Sequence, residues 1–213
     1  ISKICSKGKP IFIATGACDL EDVEAAVSLI KKWGNPLILM QCNTNYTGST
    51  ENLKYINLRV LDTYKKKFPG VVLGLSDHTA GHLTVLGAVA LGARVVEKHF
   101  TDDETRDGPD HTFSMTPPTW SEMVRQVRDL EQALGDGVKR IEYNEVATSV
   151  LQRRALRYRR DMKAGMTLSE NDIIALRPRP PDGLDPQKLR MVVNQRLTVD
   201  VKKDGQLKMA DFE

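Results

Sequence analysis

The feature that most constrains this chain is a unit that recurs four times between residues 10 and 100: a short apolar run, then a stretch with helical spacing. The runs are Pro10–Thr15, Pro36–Cys42, Val71–Leu75 and Arg94–His99. Continuous apolar runs of this length predict strands buried on both faces, as in a parallel sheet. The intervening stretches predict helices. Asp19 caps the first, Val23, Val27 and Ile30 form its apolar face, and Gly34 ends it. Leu61, Tyr64 and Phe68 keep helical spacing in the second, and residues 81–91 form an Ala/Leu/Val-rich third that ends near Gly92. A fourth runs from about Pro118 to Leu134, with Met123, Val127, Leu130 and Leu134 as its core face and Gly135 as its stop. Strand–helix units in series make an α/β fold. Four units do not close a (β/α)8 barrel of about 250 residues. Two architectures remain, a small open sheet or the second half of a barrel.

Polar residues gather where each run ends: Thr15, then Asn43 to Tyr46, then Ser76 to His78, then Glu97 with His99. Parallel α/β proteins build their sites at the C-terminal ends of strands, so these four ends point to one functional rim. Residues 136–150 lack periodicity and read as a linker. From 151 to 213 the chain changes to short strands and turns, with Leu197–Val201 and Gln206–Met209 reading as a hairpin around Asp204-Gly205. Residues 1–135 and 151–213 are therefore expected to be separate domains.

Composition excludes several classes. With 31 basic and 28 acidic residues interspersed at a net charge of +3, the chain does not read as a nucleic-acid binder. The arginines at 153, 154, 157, 159 and 160 form a local exception, read as a solvated face rather than an anion contact. No stretch approaches the ~20 apolar residues of a membrane span. Cys5, Cys18 and Cys42 lack metal-type spacing and read as buried free thiols of a cytoplasmic protein.

Three segments are specific: GLSDHT at Gly74–Thr79, VEKHFT at Val96–Thr101 and GPDH at Gly108–His111. Together they resemble the sialic acid synthase family, which includes legionaminic and pseudaminic acid synthases and spore-coat polysaccharide enzymes. GKPIFIATG at Gly8–Gly16 resembles that family's fifth strand, and Cys42–Tyr46 its sixth strand end. Lys163–Asp172 (KAGMTLSEND) with Leu176–Pro178 resembles its C-terminal antifreeze-like (SAF) domain. The resemblance implies the last four units of a (β/α)8 TIM barrel followed by a small, mostly β SAF domain. It also implies that further phosphate- and sugar-binding groups belong to a preceding half. With the opening at Ile1 rather than Met, this leads to the expectation that the chain alone is an inactive part of a longer enzyme.

His78 and His99, twenty-one positions apart, suit the ends of neighbouring strands. On the residues alone they are either rim hydrogen-bonders or ligands of a first-row divalent ion. The resemblance makes them metal ligands and favours manganese, with magnesium as the alternative. Glu97, two positions before His99 and on the same strand face, is an active-site acid by resemblance and an interior ion-pair partner otherwise. Thr15 and Ser76 offer hydroxyls to phosphoenolpyruvate, or satisfy strand-end backbone groups. By resemblance Thr44 contacts its phosphate, and Tyr46, Asp110 and Arg177 contact an N-acyl amino sugar. Arg177 would act across a domain-swapped homodimer. The chain departs from the family at Ala14, commonly Ser, and at Thr47, commonly Pro, which leaves one phosphate contact and the loop's shape open. The implied reaction condenses phosphoenolpyruvate with an N-acetylmannosamine-type sugar. The alternatives are another metal-dependent phosphoenolpyruvate-condensing synthase and a non-catalytic carbohydrate-binding fragment.

Overall fold

A computed structural model describes residues 1–213, which divide into two compact units, Ile1–Gly137 and Val138–Glu213. In the first, a short helix α1 (Ser2–Cys5) precedes β1 (Ile11–Ala14), α2 (Leu20–Trp33), β2 (Leu37–Cys42), α3 (Val60–Lys67), β3 (Val72–Asp77), α4 (Leu83–Ala90), β4 (Val95–Lys98) and α5 (Pro117–Leu134). The strands form one parallel sheet in sequential order, β1-β2-β3-β4. Its register aligns Ile13 with Leu39, Leu39 with Leu73, and Leu75 with Val96.

Strand side chains alternate between faces, so this register sorts the sheet into two surfaces. Ile11, Leu37, Leu39, Leu73 and Leu75 pack with Val23, Val27, Ile30, Leu61, Val85, Ala88 and Met123 of the helices. The alternate positions, among them Met40, Gly74, Ser76 and Glu97, face the other way. Gly74 is there because the sheet leaves no room: a Cβ would lie 2.7 Å from Met40 Cγ and 2.8 Å from the Val95 carbonyl oxygen. Burial on both faces holds for β2 throughout and for β3 after Val72. It does not hold for the edge strands, where Phe12 of β1 is 57% exposed and Glu97 of β4 is also exposed. An edge strand has only one neighbour to cover it.

The helices begin and end where local chemistry requires. The Asp22 N–H donates to Asp19 Oδ1 at 3.2 Å, while the Asp19 N–H donates to Asp22 Oδ2 at 3.4 Å, closing a capping box on α2. Gly34 ends that helix in the left-handed region at φ 75°. Helix α5 is capped by Thr116, begins with Pro117 and stops before Gly135. Its expected core face is only partly realised. Met123 is buried, but Leu134 is 47% exposed, because the last turn of α5 projects past the core.

The second unit holds α6 (Val146–Gln152) and an antiparallel pair, β5 (Ala155–Tyr158) with β6 (Ile173–Leu176). Helix α6 lies in the segment expected to be a linker. None of its residues is buried, so no apolar period marks it in the sequence. Leu156, Tyr158, Met162, Leu168, Ile173, Leu184, Val192, Leu197, Val201 and Leu207 form the core. The expected hairpin is absent. Val201 bridges to Met162, Gln206 to Arg157, and Leu197 to Phe212. Each limb gains a partner elsewhere in the unit, and Leu197, Val201 and Leu207 are thereby buried. The arginine cluster is structural: Arg153 pairs with Asp185 and Arg160 with Asp172, while Arg154, Arg157 and Arg159 donate to backbone carbonyls. No helix is long and apolar enough to cross a membrane.

Candidate active site

The C-terminal ends of β3 and β4 form a cavity of about 230 Å³ lined by Ser76, Asp77, His78, Glu97, Lys98 and His99. Ser76 and Glu97 are register partners, and Ser76 Oγ donates to Glu97 Oε1 at 2.8 Å. Two residues further along each chain come His78 and His99, with ring centroids 5.2 Å apart. His78 Nδ1 lies 2.9 Å from the Asn43 carbonyl oxygen. A carbonyl only accepts, so Nδ1 donates to it and Nε2 is the ring nitrogen left without a protein partner. His99 Nδ1 lies 3.6 Å from Asp110 Oδ2. Tyr46 covers the pair, its ring 4.2 Å from that of His78 and 5.7 Å from that of His99. Phe113 closes the far side at 5.2 Å from His99.

These residues fit a divalent first-row metal. Each imidazole has its Nδ1 directed at an oxygen, and neither Nε2 has a protein partner, which is the outer-sphere arrangement of metal-binding histidines. No group of three or more His, Cys, Asp or Glu side chains is placed to hold an ion. An ion bound here would therefore be held by an imidazole pair with open positions rather than by a closed protein cage.

Residues 1–139 match the family model described as the NeuB family, and residues 153–213 match the SAF domain. The chain belongs to the NeuB family. It is 38% identical over 201 residues to the N,N'-diacetyllegionaminic acid synthase of Legionella pneumophila, covering 92% of this chain and 55% of that protein. It is 30% identical to the human N-acetylneuraminate-9-phosphate synthase, covering 96% of this chain and 56% of the relative. The fold is that of a Chromobacterium violaceum protein named for spore coat polysaccharide biosynthesis. The two superpose with a TM-score of 0.72 at 24% identity, over 100% of this chain and 63% of that one. The chain thus spans a little over half the length of the two synthases it matches. Its sheet and helices correspond to half of a (β/α)8 barrel, followed by the SAF domain.

Of the residues singled out in the sequence, Ser76, His78, Glu97, His99, Tyr46 and Asp110 come together around this cavity. Thr44 is exposed on the loop after β2, with its Oγ1 3.9 Å from Cys42 Sγ, which in turn is 4.0 Å from His78 Nδ1. Thr15 does not join them. It continues the alternation of Ile11 and Ile13, which pack on the helix side, and its hydroxyl donates to the Met40 carbonyl while accepting from Tyr64 Oη at 2.9 Å. Its hydroxyl therefore satisfies a strand end, and burial of Tyr64 raises that phenol's pKa. Arg177 belongs to the second unit, where it is exposed and its Nε donates to the Gln152 carbonyl at 2.6 Å. Cys18 is exposed, unlike Cys5 and Cys42, because it precedes the α2 cap on an open loop.

Sequence reasoning missed three contributors. The Asn43 carbonyl orients His78, and a backbone atom leaves no side-chain signal. Phe113 packs on His99 from a loop distant in sequence. The third is the ion pair of Lys98 with Asp77, whose Nζ and Oδ2 are 2.6 Å apart and whose side chains are each 1% exposed. Its signal was available: an acid and a base, each next to a candidate histidine, on neighbouring strands.

Proposed function

We propose that this chain forms half of the active site of a sugar-acid synthase that condenses phosphoenolpyruvate with an N-acylated amino sugar in its open-chain aldehyde form. One observation carries the reading: two imidazoles with free Nε2 atoms converge beside a Ser76–Glu97 hydrogen bond at the C-terminal rim of a parallel sheet. The named activities of the NeuB-family relatives support the same class of product. C3 of phosphoenolpyruvate bonds to the aldehyde carbon, and the aldehyde oxygen takes a proton. Water adds at C2, and phosphate leaves by cleavage of its C–O bond, which yields the 2-keto acid. A divalent ion, manganese in this proposal, supplies Lewis-acid polarisation of the aldehyde when bound.

The chain's own residues supply the rest. His78 and His99 hold the ion. Glu97, with one carboxylate oxygen fixed by Ser76, keeps the other to receive or return a proton. Ser76 and Thr44 contact phosphoenolpyruvate. Tyr46 and Asp110 border the imidazole pair and contact the sugar, and Arg177 reaches it from the partner subunit of a homodimer.

The test uses the full-length protein that contains this chain. His99→Ala is expected to lose the bound divalent ion, measured by elemental analysis, and nearly all synthase turnover. Unchanged metal stoichiometry removes His99 from the ion. Ion loss with full turnover removes the ion from the reaction.

A further inference from the structure

We infer that the buried Asp77–Lys98 pair is a positioning device that sets the separation of His78 and His99; this rests on the proposed reading of the imidazole pair. The β3–β4 ladder ends at the register pair Asp77 and Lys98, so His78 and His99 both lie one residue beyond the last rung. On the β4 side, His99 has one further backbone tie, a hydrogen bond from the Met115 N–H to its carbonyl at 2.9 Å. On the β3 side the chain leaves the sheet. What joins the two strands at that rung sets the spacing of the backbone from which the two rings project.

Lys98 Nζ makes that join. It donates to Asp77 Oδ2 and to the Thr79 carbonyl, each at 2.6 Å. These two acceptors, a side-chain carboxylate and a backbone carbonyl, belong to the residues on either side of His78, so one ammonium on β4 holds the β3 chain before and after the imidazole-bearing residue. Asp77 is held in turn: Thr84 Oγ1 donates to Oδ2 at 2.6 Å, Thr79 Oγ1 donates to Oδ2 at 2.9 Å, and the Thr79 N–H donates to Oδ1 at 3.2 Å. Alternation places this network on the helix side of the sheet and the imidazoles on the other.

A buried ion pair is weak evidence for stability, since a well-packed apolar pair of similar volume does as well or better. A pair completed by hydrogen bonds from both threonines makes geometric sense as a fixed spacer. It sits between Ser76 and His78 on one strand and between Glu97 and His99 on the other, so both pairs of facing site residues are referenced to it. Such supporting contacts typically change metal affinity or activity ten- to a hundredfold.

The experiment uses the full-length protein and the variant Asp77→Asn/Lys98→Met, which removes both charges together. Folding is checked by circular dichroism and melting, Mn²⁺ affinity by titration calorimetry, and the metal-free imidazole separation by crystallography. The expected result is a folded protein with Mn²⁺ affinity about ten- to a hundredfold weaker and altered ring separation. A folded variant with unchanged affinity and unchanged ring separation overturns the inference. Should the double variant not fold, Lys98→Arg retains the buried cation but not the one-nitrogen grip on both acceptors. The same two readouts then decide by the same rule. A wild-type protein that binds no Mn²⁺ defeats the metal reading itself, and the clamp is then judged on ring separation alone.

Discussion

Gly16→Ala is expected to destabilise the barrel unit through a single contact. Gly16 has no left-handed φ, so alanine can adopt its backbone conformation. The obstacle is space: an added Cβ would lie 1.7 Å from Thr44 Oγ1, 3.0 Å from Cys42 Sγ and 3.1 Å from Thr44 Cβ. The 1.7 Å overlap forces Thr44 out of its present rotamer or moves the loop after β2, whereas the contacts at 3.0 and 3.1 Å need only a few tenths of an ångström of adjustment. Overpacking of this kind costs roughly 1–3 kcal/mol. At a urea slope of about 2 kcal/mol per molar, a loss near 2 kcal/mol lowers the unfolding midpoint by about 1 M. Trp33 and Trp120 both lie in this unit, so tryptophan fluorescence reports its unfolding. The reasoning makes a second demand. Thr44→Ala removes the atom at 1.7 Å, and in that background Gly16→Ala should be nearly neutral. The remaining crowding is offset by the ~0.4–1 kcal/mol that alanine contributes by restricting the unfolded chain. A double-mutant cycle should therefore show a coupling of at least about 1 kcal/mol. Additive effects, or an unchanged midpoint for Gly16→Ala alone, would refute the account.

Arg177→Ala in the full-length protein is expected to raise the sugar KM, with kcat/KM falling about ten- to a hundredfold for the loss of a charged donor, and with metal affinity unchanged. Mixing it with His99→Ala chains should restore part of the activity if the site is shared across a dimer; verified heterodimers without activity argue against sharing. Asp172 supplies a pH dependence. Burial works to raise its pKa, but hydrogen bonds from Ser169 and Arg160 prevail and hold the carboxyl below its ordinary value. A folded-state pKa below the unfolded one contributes stability above about pH 4, the unfolded value, which is lost as pH falls through the folded value. The melting temperature of Asp172→Asn should accordingly lie below wild type at pH 7, with the gap narrowing as the pH falls below 4; a constant gap would dissociate Asp172 from the acid response.

The parallel sheet and its helices were legible because their signals are local. Apolar runs bounded by polar residues predict strands, and Asp19 and Gly34 mark the ends of α2 at the backbone level, whatever packs around it. The rim was legible for a related reason: alternation along a strand puts Ser76 with His78, and Glu97 with His99, on shared faces before any contact is known. Other features depended on distant partners. Whether a strand is buried on both faces depends on its neighbours, and β1 and β4 have one each. Val201 and Gln206, on either side of the turn, follow partners at Met162 and Arg157 rather than each other, and the segment closes on itself only at its ends, Leu197 with Phe212. Thr15 and Ser76 look alike as strand-end hydroxyls. Only the three-dimensional sheet shows one facing the helices and the other facing Glu97, because the direction of a side chain relative to a core is defined only once the core exists. The sequence alone thus determined which residues reach the rim. Tertiary structure decided which of them meet, through a backbone carbonyl at Asn43 and a buried ion pair between strands that no local pattern encodes.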